Sequence, residues 1–250
     1  MKAFSVFGVT QSGKTTTIEN IIRELKKRGY SVGSVKNIHY EDFLIDVEGS
    51  NTWRHKQAGS EMIVARGFKE TDILIPQRLG IDRILRYFDH DYVVIEGVSD
   101  TVLPKILCGG SNFTETDARL NDLVFAISGC ISNQISEYQG FPVINSLSEA
   151  GKLVDLIEEK VTDIMPFVEG LEQCGACGSN CRELVTKIIK GEATRSDCAF
   201  VKSRTTVTVG QKEIAVDSWL EAKLEAFLAV LFSKLDSYDP GEQIKITVRK

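Results

Sequence analysis

Gly8-Val-Thr-Gln-Ser-Gly-Lys-Thr15 fits the pattern G-x-x-x-x-G-K-[ST] at every position. The apolar run Ala3–Phe7 precedes it, and Ile18, Ile21, Ile22 and Leu25 follow at helical spacing. A strand, a glycine-rich turn and a helix in that order make a phosphate-binding loop. The two glycines let the backbone wrap so that successive N–H groups face one point. Lys14 then reaches β- and γ-phosphate oxygens, and the Thr15 hydroxyl ligates Mg²⁺. The start of the helix adds partial positive charge. A chance match arises in about 1% of chains of this size at ordinary residue frequencies, and the strand–turn–helix context makes it rarer. The loop predicts binding of a purine nucleoside triphosphate with Mg²⁺. A carboxylate at the end of a neighbouring strand should hold the metal or its water shell. Glu96, directly after Tyr92-Val-Val-Ile95, is the first candidate; Asp46, after Phe43-Leu-Ile45, is the second. No Asn-Lys-x-Asp segment follows to read guanine, so these motifs leave ATP and GTP both open.

Outward from the loop, strands and helices alternate. The helix beyond Thr15 ends near Lys26-Lys27-Arg28-Gly29, a basic last turn with a glycine stop. Strand-like runs follow at Ser31–Lys36, Met62–Ala65, Asp72–Ile75, Tyr92–Ile95, Lys105–Leu107 and Leu123–Ile127. Helical patterns lie near Arg78–Phe88 and Glu149–Thr162. This alternation predicts an α/β, P-loop NTPase-like layered domain over residues 1–165 with a mostly parallel sheet. After Met165-Pro166 the character changes. Residues 167–200 carry a cysteine cluster around a short helix, Arg182–Lys190, stopped by Gly191. Residues 201–250 read as a small ββαβ unit, with strands at Thr205–Val209, Glu213–Val216 and Ile244–Val248.

Composition bounds the partners. The 250 residues are 42% apolar and 26% charged, with a formal net charge of −5, which is ordinary for a globular chain. The acidic balance and the lack of a dense Lys/Arg run predict no nucleic-acid binding. No basic n-region leads into a long apolar run, and no stretch of about 18 apolar residues exists. The expectation is a cytoplasmic protein with no membrane span.

Six cysteines in such a compartment are not read as a disulfide framework. Cys108 and Cys130 stand alone and are expected to be packing thiols. Cys174-x2-Cys177-x3-Cys181-x16-Cys198 instead places three thiols within eight residues and a fourth after a helix. Thiolates suit Zn²⁺ or iron–sulphur clusters. Structural zinc sites tend to use two separated C-x2-C knuckles, so a close triplet with a remote fourth favours iron–sulphur ligation. The run Cys-Gly-Ala-Cys-Gly-Ser-Asn-Cys also resembles the four-cysteine 4Fe–4S domain of corrinoid iron–sulphur and electron-transport subunits. Such a centre either staples a small segment or responds to redox state.

Several segments beyond the loop follow in a fixed order: Val35-Lys-Asn-Ile-His39, Phe43-Leu-Ile-Asp46, Gly49-Ser-Asn-Thr-Trp-Arg-His55, Ala58-Gly59-Ser60 and Glu96-Gly97. Over roughly residues 1–165 this run resembles the molybdopterin-guanine dinucleotide biosynthesis adaptor family, MobB. The resemblance implies a dimerising GTP-binding protein, a slow GTPase at most, that assists the guanylyltransferase MobA in attaching GMP to molybdopterin. It implies that Gly8, Thr10, Gln11, Ser12, Gly13, Lys14, Thr15 and Thr16 bind the GTP phosphates. Asp46, Thr52, Arg54 and Glu96 would line the site, with Asp46 and Glu96 near Mg²⁺. Two positions depart from the family pattern. Asn37 stands where many members have His, and Asn51 stands where many have Asp, so position 51 carries no carboxylate for a metal or a water. The alternative is an ATP-driven electron-transfer or metallocluster-maturation protein; nucleotide preference separates the two.

Overall fold

The computed structural model describes residues 1–112, 114, 116, 118–163, 177–198, 207–209, 212–214, 224 and 227. Its contacts divide the chain into one unit, Met1–Arg195, and a second, Ser196–Lys250.

The first unit is built on five parallel strands: β1 (Lys2–Gly8), β2 (Val32–Lys36), β5 (Tyr92–Glu96), β6 (Lys105–Cys108) and β7 (Val124–Ser128). Their order across the sheet is β2-β5-β1-β6-β7. Ala3 through Phe7 are all buried, as are all of β5, β6 and β7. Such continuous apolar runs suit strands covered on both faces, which parallel sheets require. Helix α1 (Lys14–Lys27) buries Ile18, Ile21 and Leu25 and packs against α4 (Ala150–Lys160). Arg28 joins the two helices: Nη1 donates to Glu158 at 2.8 Å and Nη2 to the Gly151 carbonyl at 2.9 Å. One core cluster gathers Ala3, Leu85, Val93, Ile95, Val98 and Leu103; another gathers Phe7, Leu107, Val124, Ile127, Ile131 and Val143.

The expected α/β fold with its parallel sheet is present, and four local readings differ. Strands β3 (Ile63–Arg66) and β4 (Thr71–Leu74) pair antiparallel as a separate hairpin. Only Gly67–Glu70 separates them, closed by Gly67 N donating to Glu70 O at 2.9 Å, and a parallel crossover needs a dozen residues or more. The helix expected over Arg78–Phe88 is confined to α3 (Ile81–Leu85), because Gly80 at its N-cap is extended. Phe88, beyond it, instead joins the β5 core. Helix α2 (Asn51–Gln57) forms where no helix was read. Its cap is Ser50, whose hydroxyl accepts from Trp53 N at 3.0 Å. A further antiparallel pair, β8 (Glu137–Tyr138) and β9 (Phe141–Pro142), lies between β7 and α4.

Helix α5 (Cys181–Lys190) closes the first unit. Asn180 Oδ1 accepts from Glu183 N at 2.9 Å and Glu183 Oε2 accepts from Asn180 N at 3.3 Å, a complete capping box. Leu184, Val185, Ile188 and Ile189 are buried. In the second unit, β10 (Val207–Val209) and β11 (Lys212–Ile214) form an antiparallel hairpin, which gives the first two strands of the tail. Most of the tail's expected helix, the strand Ile244–Val248 and Cys174 lie outside the described residues.

Candidate functional site

The turn between β1 and α1 carries the matched motif. Gly8 ends β1 and Gly13 is the N-cap of α1 with φ 89°. Side chains are excluded where the loop meets its neighbours. A Cβ on Gly8 would lie 2.2 Å from the Cys108 carbonyl oxygen, and one on Gly129 would lie 2.1 Å from the Ser12 carbonyl oxygen. The loop is therefore pressed between the ends of β6 and β7. Cys130 N donates to Ser12 O at 3.1 Å, and the Ser12 hydroxyl donates to Val9 O at 2.9 Å.

Lys14 folds back over this turn, its Nζ donating to Gly8 O at 3.2 Å and Val9 O at 2.5 Å. Burial lowers its ammonium pKa from the usual value, and Cys108 and Glu96 oppose the shift. A phosphate chain in the loop would supply the anion this half-buried cation lacks. Thr10, Gln11, Thr15 and Thr16 are exposed at the mouth and Ser12 is buried.

Glu96, the last residue of β5, is buried. Its Oε1 accepts from the Thr15 hydroxyl at 2.9 Å and from Lys36 Nζ. The strand register explains this meeting: Glu96 is opposite Val6 of β1 on one side and Lys36 of β2 on the other. A serine or threonine hydroxyl beside a strand-end carboxylate is the oxygen donor set that Mg²⁺ takes in P-loop proteins.

Asp46 stands apart from that pair. Its Oδ1 accepts from Thr52 Oγ1 at 2.7 Å, Ser50 Oγ at 2.9 Å and Val47 N at 3.1 Å. The Thr52 hydroxyl, with help from Ser50 and Val47 and against some burial, holds this carboxyl below its usual range. Its Oδ2 is buried with no hydrogen-bond partner among the described residues. Asp46 lines a cleft of about 1050 Å³ with Lys36, Asn37, His39, Gly97 and Asp100. Arg54 is exposed on α2 and does not line that cleft. The structure thus brings together Gly8–Thr16 and Glu96 and adds Lys36 and Gly129 to them. Lys36 carries no local signal, since it meets Glu96 only through the pairing of β2 with β5. Gly129 follows β7 in Ser128-Gly-Cys130, a pattern too short to stand out.

Of the lone cysteines, Cys108 is buried, and that burial pushes its thiol up to about 12. Cys130 is half-buried with Sγ 3.5 Å from the Gln11 carbonyl. In the clustered set, Cys177 precedes the N-cap of α5 and Cys181 is its first residue. Thiol donors beside a helix N-terminus fit an anionic, thiolate-bound centre, since the positive end of the helix dipole favours negative charge there. Cys198, in the second unit, is buried. Among the described residues no three His, Cys, Asp or Glu side chains converge.

Comparison with known proteins sets this geometry in a family. Residues 3–128 match the family described as "Molybdopterin guanine dinucleotide synthesis protein B", MobB, and residues 172–200 match one described as "Putative Fe-S cluster". The chain is 26% identical over 255 aligned positions to the "Putative molybdopterin-guanine dinucleotide biosynthesis adapter protein" of Methanocaldococcus jannaschii, covering 99% of this chain and 97% of that one. It is 30% identical over 128 residues to the "Molybdopterin-guanine dinucleotide biosynthesis adapter protein" of Haemophilus influenzae, covering 49% of this chain and 71% of that one. The crystal structure of Bacillus subtilis MobB superposes with a TM-score of 0.54 at 23% identity, covering 66% of this chain and all of that one, which supports the fold. With half its length matched by the family and the Walker-type loop at its start, the chain belongs to the MobB family.

Proposed function

We propose that this protein is a GTP-binding adapter of molybdopterin guanine dinucleotide biosynthesis, assisting a MobA-type guanylyltransferase in attaching GMP to molybdenum- or tungsten-bearing molybdopterin. The observation that carries the reading is the Thr15–Glu96 hydrogen bond at the foot of a loop whose glycines let its backbone press against the ends of β6 and β7. Backbone amides of residues 8–16 and Lys14 bind the phosphate chain, and Thr15 and Glu96 hold Mg²⁺, with Asp46 in the adjoining cleft. The names of the relatives support the pathway and the guanine base. Mg²⁺, when bound, screens the phosphate charge; the chain's own residues orient the triphosphate and present it.

The clustered cysteines bind a 4Fe–4S centre in this reading, Cys174, Cys177, Cys181 and Cys198 being its ligands. Residues 1–165, 167–200 and 201–250 serve as nucleotide, cluster and tail segments. A second copy of the chain is the expected partner for the apolar side chains left exposed at Leu44, Ile45, Val64, Phe68 and Ile73. No helix among the described residues is long and apolar enough to cross a membrane, in keeping with action in the cytoplasm.

One anaerobic purification tests the whole. Calorimetry should find GTP·Mg²⁺ binding that Lys14→Ala abolishes without loss of helical content. Metal analysis should find iron that Cys177→Ser removes along with the brown colour. Tight ATP binding with brisk turnover would reject the adapter, and a colourless zinc protein would reject the cluster.

A further inference from the structure

Glu96 is shared. Its Oε1 accepts from Thr15 on one side and from Lys36 on the other, yet Lys36 is outside the matched loop and has no part in the metal-binding pair. The two donors meet one oxygen, so the Lys36 ammonium lies within about 6 Å of the Thr15 hydroxyl, one hydrogen-bond length added to another. The Lys36 side chain is 54% exposed and Glu96 only 9%, so the lysine reaches in from the cleft side. Its backbone is fixed by pairing with β5 in register, and the next residue is tied down by Asn37 Nδ2 donating to Gly97 O at 3.3 Å. The second lysine of the region, Lys14, donates instead to the Gly8 and Val9 carbonyls, so Lys36 is the ammonium that meets Glu96.

The buried carboxylate needs a counter-charge, and Mg²⁺ on Thr15 would supply it. The same ion would repel Lys36, leaving an ammonium within one side-chain swing of the terminal phosphate. We propose that Lys36 reads the terminal phosphate of the bound nucleotide: it neutralises Glu96 until metal and triphosphate enter, then transfers its hydrogen bond to the γ-phosphate. The proposal rests on the nucleotide-binding reading above and deepens it, because it makes Lys36 the residue that separates triphosphate from diphosphate.

Calorimetry of GTP and GDP binding in Mg²⁺, on wild type, Lys36→Met and Lys36→Arg, tests this. A charge-assisted contact is worth about tenfold or more in affinity. Lys36→Met should therefore weaken GTP by at least about tenfold and leave GDP within about twofold. Lys36→Arg should recover part of the GTP preference. An unchanged GTP-to-GDP ratio in Lys36→Met overturns the proposal while the loop assignment stands. An equal loss for both nucleotides also overturns it, since Lys36 would then only support Glu96. If Lys36→Met fails to fold, Lys36→Gln gives the same readout. Should wild type and Lys14→Ala both show no nucleotide binding, the loop assignment falls and takes this proposal with it.

Discussion

Asp122 and Arg182, sixty positions apart in sequence, tie the helix that begins at Cys181 to the parallel sheet. Arg182 Nε donates to Asp122 Oδ2 at 3.1 Å and its Nη2 reaches Oδ1, while Thr186 Oγ1 donates to the same carboxylate at 3.2 Å. Asp122 precedes β7 at the end of the sheet away from the loop, since Ser128 at the other end of that strand leads into Gly129 and the Ser12 contact.

Both ionic side chains are nearly half exposed, so solvent screening limits the pair to about 1 kcal/mol even with its forked geometry. Arg182→Ala should lower global stability by no more than that. It should speed amide exchange in α5 selectively, while β1 and β5 keep their protection. Uniform acceleration across the sheet would show that α5 is part of the cooperative core and that the pair is incidental.

The sequence exposes most of what depends on local chemistry and little of what depends on register. The glycine-rich loop and its helix are legible because their residue types are required by one backbone shape. Helix α5 is legible because Gly191 stops it, in a left-handed C-cap that glycine adopts without strain. The parallel strands are legible as buried apolar runs, and Glu96 as the first polar residue after one of them. Lys36 is not, because its role comes from lying opposite Glu96 across a strand pair, and strand order cannot be read from either strand alone. Gly129 is hidden for the same reason, being special only through the neighbour that β7 brings to it. Helix α3 is shorter than the helical spacing of Arg78–Phe88 predicts, because the extended backbone at Gly80 delays its start.

Gly129 offers a direct probe of that hidden contact. Its φ is 82°, and a Cβ there would sit 2.1 Å from the Ser12 backbone oxygen, so relief requires the loop itself to move. Gly129→Ala should cost about 1–3 kcal/mol in urea denaturation and weaken GTP binding through displaced Ser12 and Gly13. Gly140→Ala is the control, since the same substitution at φ 80° meets nothing within 4 Å. It should show the backbone strain and keep full affinity. Equal nucleotide affinity in both variants would mean that the close approach does not shape the loop.

Lys105 makes stability depend on alkaline pH. It is fully buried at the start of β6, with Nζ donating to Thr101 O at 2.5 Å, Leu103 O at 3.1 Å and Thr101 Oγ1 at 3.2 Å. Burial, with a smaller push from Arg182, brings its pKa down to about 8 against the pull of Asp100 and Asp122. Below pH 8 the lysine is charged in folded and unfolded chains alike, and the cost of burying that charge is fully present. Between about 8 and the ordinary value of 10.5 the unfolded chain binds more protons than the folded one, so stability rises with pH through this window. The whole rise is roughly 3 kcal/mol for a shift of this size. Urea unfolding of wild type and Lys105→Met at pH 7.5 and pH 10 isolates it, because other groups that titrate there cancel in the comparison. Wild type should gain more on going from the lower pH to the higher one. Parallel changes in the two proteins would mean that the buried ammonium keeps its proton throughout, held by the three oxygens around it.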